Sequence, residues 1–157
     1  MQAPSPVLDP ERRLFFEDFE PGWTLSYGAK TVSKAEIVAF ASEFDPQPFH
    51  LDEEAARASV LGGLCASGWF TASLWMRAFV DGVLSKSTSQ GSPGGTSFAW
   101  PAPMFPGDEV DARVEILAAR ESRSRPGIGL VEMRATLMRG ETTLFRSEFT
   151  GMFATRS

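Results

Sequence analysis

Between Gly68 and Leu84 the chain reads GWFTASLWMRAFVDGVL. This stretch constrains the fold more than any other. Trp69, Ala72, Met76, Phe79 and Val83 mark one helical stripe, while Phe70, Leu74, Trp75 and Val80 fill other faces. A helix that is apolar nearly all round is expected to be buried. With Arg77 and Asp81 inside it, the stretch is too short and too polar to span a bilayer. It is therefore expected as a central element of a soluble fold. Downstream the apolar period changes to two. Val110, Ala112, Val114 and Ile116 alternate with Glu109, Asp111, Arg113 and Glu115, as in a half-buried strand. Val131, Met133, Ala135 and Leu137 predict a second strand, and Phe145, Phe149 and Phe153 share one face of a third. Pro106-Gly107 precedes the first of these strands. Short turns at Gly127 and Gly140 imply antiparallel neighbours. Helices first and antiparallel strands after them make an α+β layer arrangement, with the sheet around the apolar helix. The edges of such a sheet stay open, which invites edge pairing into a dimer.

Upstream, Ser33 and Glu36 form a Ser-x-x-Glu capping box. Ile37, Phe40, Ala41 and Phe44 follow at i, i+3, i+4 and i+7. Pro46 disfavours helix at Asp45, so the helix should end there. A second short helix is expected from Asp52 through Glu53, Glu54, Ala55, Ala56 and Ala58, broken by Gly62-Gly63. Residues 1–13 read as a tail, and 14–157 as one domain. Phe15, Phe16 and Phe19 give that domain an aromatic entry. The Ser- and Gly-rich run from Ser85 to Gly95 reads as a loop. Its continuation Gly91-Ser92-Pro93-Gly94-Gly95-Thr96 lacks the Lys-Ser/Thr end of a phosphate-binding loop and reads as a mobile connection.

Composition removes several function classes. Net charge is -5 and no basic run exceeds two residues, which argues against nucleic-acid binding. The single cysteine, Cys65, permits no internal disulfide. One His and one Cys leave too few soft ligands for zinc, so no metal is expected. No secretory signal pattern is visible, and a cytoplasmic location is expected.

The only histidine lies five residues after an aspartate, in Phe44-Asp45-Pro46-Gln47-Pro48-Phe49-His50. Each proline biases the residue before it toward extended backbone. Asp45 and His50 are thus expected on a stiff, non-helical segment that can hold a carboxylate near an imidazole, a pair suited to general acid–base chemistry. The same spacing also fits a plain helix end with His50 packed beneath it. Ser67-Gly68 opens the apolar helix, where the first amides lack intrahelical partners. A glycine there admits close approach of a carbonyl, so the Gly68 amide is a candidate oxyanion donor. Ser67 reads as an ordinary N-cap, and without Gly-x-Ser-x-Gly it is no hydrolase nucleophile. Cys65, flanked by apolar residues, reads as buried and inert.

On these residues the chain resembles the MaoC-like dehydratases, which include (R)-specific enoyl-CoA hydratases of the hot dog fold. Many members carry Gly-Asp-x-Asn-Pro-x-His, matched here from Phe44 to His50, with Leu51-Asp52-Glu53-Glu54-Ala55-Ala56 following. Ala66-Ser67-Gly68-Trp69-Phe70 falls where relatives open the hot dog helix with His-Gly or Ser-Gly. Gly91-Ser92-Pro93-Gly94 and Pro106-Gly107-Asp108 look like further landmarks. The resemblance runs from about Phe15 to Phe153. It implies a long central helix wrapped by a curved antiparallel sheet, homodimers or higher oligomers with joined sheets, and a tunnel for an acyl thioester. It implies catalytic roles for Asp45, His50 and Gly68, and substrate contacts for Gln47, Ser67, Trp69 and Phe70. The implied reaction is reversible hydration of a trans-2-enoyl thioester, on CoA or acyl carrier protein, to the (R)-3-hydroxyacyl thioester in fatty acid metabolism. No cofactor beyond the acyl-CoA substrate is implied. Gln47 replaces the usual Asn, Phe44 the Gly, and Phe70 a His found in some relatives. Two alternatives remain at this level. One is a hot dog thioesterase, against which the lack of Asp or Glu from Gly68 to Val80 counts. The other is a non-catalytic subunit that binds acyl thioesters.

Overall fold

The computed structural model describes residues 13–156. The expected tail, 1–13, lies outside the described residues except for Arg13, whose guanidinium donates to the Ser87 carbonyl at 3.0 Å. In chain order the elements are β1 (Thr24–Thr31), α1 (Lys34–Phe44), α2 (Pro48–Leu51), α3 (Glu53–Arg57), α4 (Gly68–Gly82), β2 (Gly94–Ala99), β3 (Glu109–Glu121), β4 (Ile128–Arg139) and β5 (Thr142–Ala154). Turns of 3-10 helix at Phe16–Asp18 and Leu84–Lys86 flank β1 and α4. The strands form one antiparallel sheet in the order β1-β3-β4-β5-β2.

The two-residue period of β3 and β4 sets the inner face. Val110, Ala112, Val114 and Ile116, then Val131, Met133, Ala135 and Leu137, are all buried. Phe145 and Phe153 of β5 join them, and Phe149 packs against the cluster. The hairpins turn at Gly127 and Gly140, whose φ of 80° and 58° lie in the left-handed region that glycine tolerates. Helix α4 lies on this inner face through Trp75 and Phe79, with Thr71 a turn earlier. The indole of Trp75 donates to the Arg113 carbonyl at 2.8 Å. No helix among the described residues is long and apolar enough to cross a membrane.

Three expectations need correction. First, α4 is not buried all round. Only Thr71, Trp75 and Phe79 within it are buried, whereas Trp69 and Met76 are 56% and 45% exposed. The sheet covers one face of the helix, and Phe40 and Trp100 cover only Phe70 and part of Trp69 at its start. Second, the run Ser85–Gly95 is not a simple loop. Ser87 and Thr88 are buried, Leu14 pairs with Ser87 in a parallel bridge, and β2 already starts at Gly94. Third, the Asp45–His50 segment is not wholly extended, because α2 is one helical turn that includes His50. Pro48 starts that turn at a position where a missing N–H costs no hydrogen bond.

Helix α1 follows its sequence signal. The Ser33 amide donates to Glu36 Oε2 at 2.9 Å, and the Glu36 amide to Ser33 Oγ at 3.1 Å. The helix ends with Asp45 as its C-cap. Asp52 caps α3, accepting from the Ala55 amide at 2.8 Å.

Candidate active site

Three local devices bring the candidate residues together. The end of α1 presents Asp45, the single turn of α2 presents His50, and the N-cap of α4 presents Ser67. His50 is buried, and its ring packs edge-on against Phe49 with centroids 4.5 Å apart. Its Nδ1 lies 2.7 Å from the Cys65 carbonyl oxygen. A carbonyl only accepts, so Nδ1 carries the proton, and in the neutral ring Nε2 is left with a lone pair. That nitrogen faces Asp45 Oδ2 at 3.4 Å.

Asp45 is held from two further sides. The Gln47 amide donates to its Oδ1 at 2.6 Å, and the Ser67 hydroxyl also donates to the carboxylate. Burial opposes ionisation of Asp45. The donors Gln47 and Ser67 and the adjacent His50 outweigh it, and the carboxyl lies below its usual range. Ser67 is fully buried and accepts the Trp69 amide at 3.3 Å, as an N-cap does. One hydroxyl thus couples the dyad to the start of α4.

Gly68 is the first residue of α4, and its N–H has no intrahelical partner. A side chain here would collide with the Trp100 ring, since a Cβ would lie 2.7 Å from its Cε2. Trp100 Nε1 donates to the Gly68 carbonyl at 2.7 Å. The close approach that this glycine permits is therefore made by an indole of the same chain. Trp69 packs on Phe98 and Trp100, with centroids 5.5 and 5.0 Å apart. Phe70 turns the other way and stacks on Phe40 at 5.3 Å. Of the predicted residues, the structure groups Asp45, Gln47, His50, Ser67 and Gly68, and it sends Trp69 and Phe70 to opposite flanks. The Cys65 carbonyl and Trp100 were not anticipated. A backbone acceptor has no sequence signature, and Trp100 lies 32 positions from Gly68.

Among the described residues no group of three or more His, Cys, Asp or Glu is placed to hold a metal ion. Two cavities flank α4. One, of about 760 Å³, lies toward β1 and is lined by Leu25, Tyr27, Leu74 and Ala78. The other, of about 350 Å³, lies toward β4 and β5 and is lined by Trp75, Met76, Phe79 and Phe149.

Comparison with known proteins gives the family of the chain. The family model described as a MaoC like domain matches residues 19–136. The chain belongs to the MaoC-like domain family. The crystal structure of a MaoC-like dehydratase from Rhodospirillum rubrum is 42% identical, with a TM-score of 0.83, covering 92% of this chain and 99% of that one. A 3-hydroxybutyryl-CoA dehydratase of Methylorubrum extorquens is 34% identical over 124 residues, 76% of this chain and 74% of that protein. A Mycobacterium tuberculosis protein with a double hot dog fold superposes with a TM-score of 0.78 over 91% of this chain and 44% of that one, at 18% identity. That likeness concerns the fold alone. This MaoC-like chain has the expected hot dog architecture, α+β with a helix packed on an antiparallel sheet.

Proposed function

We propose that the chain is a hydratase/dehydratase that interconverts a trans-2-enoyl thioester and its (R)-3-hydroxyacyl thioester. One observation carries this reading. Asp45 Oδ2 and His50 Nε2 face one another at 3.4 Å beside the helix start that bears Gly68. With Nδ1 committed to the Cys65 carbonyl, both facing atoms are acceptors when the ring is neutral. A slight turn of either side chain admits a water that donates one hydrogen to each. Such a water is activated at its oxygen and oriented by its hydrogens.

The reaction then balances within the site. The water O–H bond breaks and its proton passes to the dyad. The oxygen bonds to the β-carbon, and the displaced π pair moves toward the thioester oxygen as an enolate. The unpaired Gly68 amide, at the positive end of α4, stabilises that charge. The enolate collapses as a proton returns from the dyad to the α-carbon. The 3-hydroxybutyryl-CoA dehydratase relative supports a CoA thioester as substrate. Hydrolysis is disfavoured, because the acidic residue of α4, Asp81, is at its far end and paired with Arg77 at 2.9 Å.

The working unit is proposed to be a homodimer joined through β2. That strand pairs only with β5 among the described residues. Beside it Trp69, Met76 and Phe98 form an exposed apolar flank. The other edge, β1, carries Lys30 and a register irregularity after Tyr27, devices that blunt an edge.

The test is loss of enoyl-thioester absorbance with short and medium trans-2-enoyl-CoAs, with chiral analysis of the product. Turnover to the (R)-alcohol that Asp45→Asn and His50→Gln each abolish is the expected result. Turnover surviving both substitutions removes the dyad from the mechanism.

A further inference from the structure

Gln47 stands between two prolines, so its neighbours have fixed φ and it is itself held extended, at φ -86° and ψ 142°. Its backbone amide donates to the Asp45 carbonyl at 2.7 Å, and its side-chain amide to Asp45 Oδ1 at 2.6 Å. An ionised carboxylate only accepts, so the NH2 end of the amide must face it. The backbone amide and the side-chain amide of Gln47 thus both donate to Asp45.

We propose that Gln47 is a positioning residue: it clamps Oδ1 of Asp45 so that Oδ2 converges with His50 Nε2, and it thereby makes His50 the member of the pair that carries the proton. This rests on the hydratase reading for its chemistry but on geometry for its structural half. The titratable groups around Asp45 are His50 from α2 and, behind it, Cys65 from the segment before α4. Ser67 and Gln47 are neutral donors. With two donors on the carboxylate its ionised form is favoured, so a proton released by the water goes to the imidazole. In the forward reaction Nε2 gains the water's proton and then yields it to the α-carbon. Asp45 remains an acceptor throughout and steadies the transient imidazolium.

The test uses the full chain with Gln47→Leu and Gln47→Asn. Gln47 is exposed, and circular dichroism checks that each variant folds. Two sets of readings are taken. One is kcat, KM and their pH profiles with trans-2-butenoyl-CoA. The other, without substrate, is the carboxyl ¹³C titration of Asp45, assigned with Asp45→Asn, and the ring ¹⁵N signals of His50, unambiguous because it is the only histidine. We expect the neutral ring to hold its proton on Nδ1. In Gln47→Leu the Asp45 titration should move up toward the ordinary carboxylate range. Its kcat should fall about 10- to 100-fold with KM little changed, as for a misplaced catalytic group, and Gln47→Asn should restore part of it. A raised KM with unchanged kcat and pH profile would overturn the proposal in favour of substrate binding. An Asp45 titration that ignores Gln47→Leu would overturn it too. If no enoyl thioester is turned over, the hydratase reading fails, and the two NMR titrations still decide whether Gln47 clamps Asp45.

Discussion

The backbone carbonyl of Cys65 accepts a hydrogen bond from His50 Nδ1 at 2.7 Å, while the Cys65 thiol stands 3.8 Å from the same nitrogen. The main chain, not the sulfur, fixes the ring. Burial also pushes the thiol pKa up, away from the reactive thiolate. Cys65→Ala should therefore keep the proposed hydratase activity close to that of the parent, and the native thiol should resist alkylation until the protein unfolds. Loss of activity in Cys65→Ala with the fold intact would give the sulfur a direct role.

The carboxyl of Asp45 titrates lower in the folded chain than in the unfolded one, so linkage fixes a sign. Burial works against this, but Gln47, Ser67 and His50 prevail. A depressed native pKa adds stability above the ordinary carboxylate range, and that stability is lost as pH falls through the native value. Urea unfolding of the parent and of Asp45→Asn should show the largest difference near neutral pH and a shrinking one on acidification. A difference that stays constant with pH would mean that the fold does not favour the ionised form.

Gly68 is constrained by Trp100. A methyl group there would lie 2.7 to 2.9 Å from atoms of the indole, and the ring cannot back away without losing its hydrogen bond to the Gly68 carbonyl. Gly68→Ala should cost about 1–3 kcal/mol, as overpacking does. It should also lower activity by moving the first amide of α4. Pairing it with Trp100→Leu relieves the clash, so the double variant should be more stable than the sum of the singles predicts. Strict additivity in thermal or urea melts would show that the two residues do not compete for one space.

What the sequence made legible follows from how locally each feature is determined. Helix α1 was readable to the residue because its cap, Ser33 with Glu36, and its stop at Pro46 are local chemistry. The strands β3 and β4 were readable because burial on one face imposes a strict alternation. Strands β1 and β2 were not. As edges they carry little apolar alternation, and β2 opens with Gly94 and Gly95 in a run that reads as a loop. The burial of α4 was overestimated because an all-apolar helix states that its faces need cover, not that its own sheet supplies it. In the site, the juxtaposition of Asp45 and His50 was legible from two prolines and a motif. The roles of Ser67 and Gln47 as donors to Asp45 depend on long-range packing and side-chain rotamers, which spacing does not encode.

The capping box of α1 offers a separate test of how the dyad is supported. Glu36 has its pKa pushed down to about 2, first by the hydrogen bond from Lys30 and then by that from the Ser33 amide. Ser33→Ala removes the acceptor for the Glu36 amide and should cost about 1 kcal/mol. Asp45 is at the other end of the same helix, so fraying at Ser33 should leave KM and kcat largely intact once the helix is formed. A large fall in kcat would show that the placement of Asp45 depends on the whole length of α1.

The strongest assembly prediction concerns β2. Its sequence, GGTSFA, holds neither charge nor proline, and its outer edge is unpaired among the described residues. Phe98, 60% exposed, leans on Trp69 of α4, so strand edge and helix flank form one apolar surface. A two-fold copy of this surface would continue the sheet and cover the face of α4 that the chain's own sheet leaves open. Sedimentation velocity should find a dimer at micromolar concentration. Phe98→Asp would put a charge at the centre of the joint, where it has no partner, and should shift the protein to monomer. Since Trp69 and Trp100 border Gly68, the monomer should also lose activity with its circular dichroism unchanged. A Phe98→Asp protein that remains dimeric would move the interface elsewhere, with β1 the remaining edge to examine.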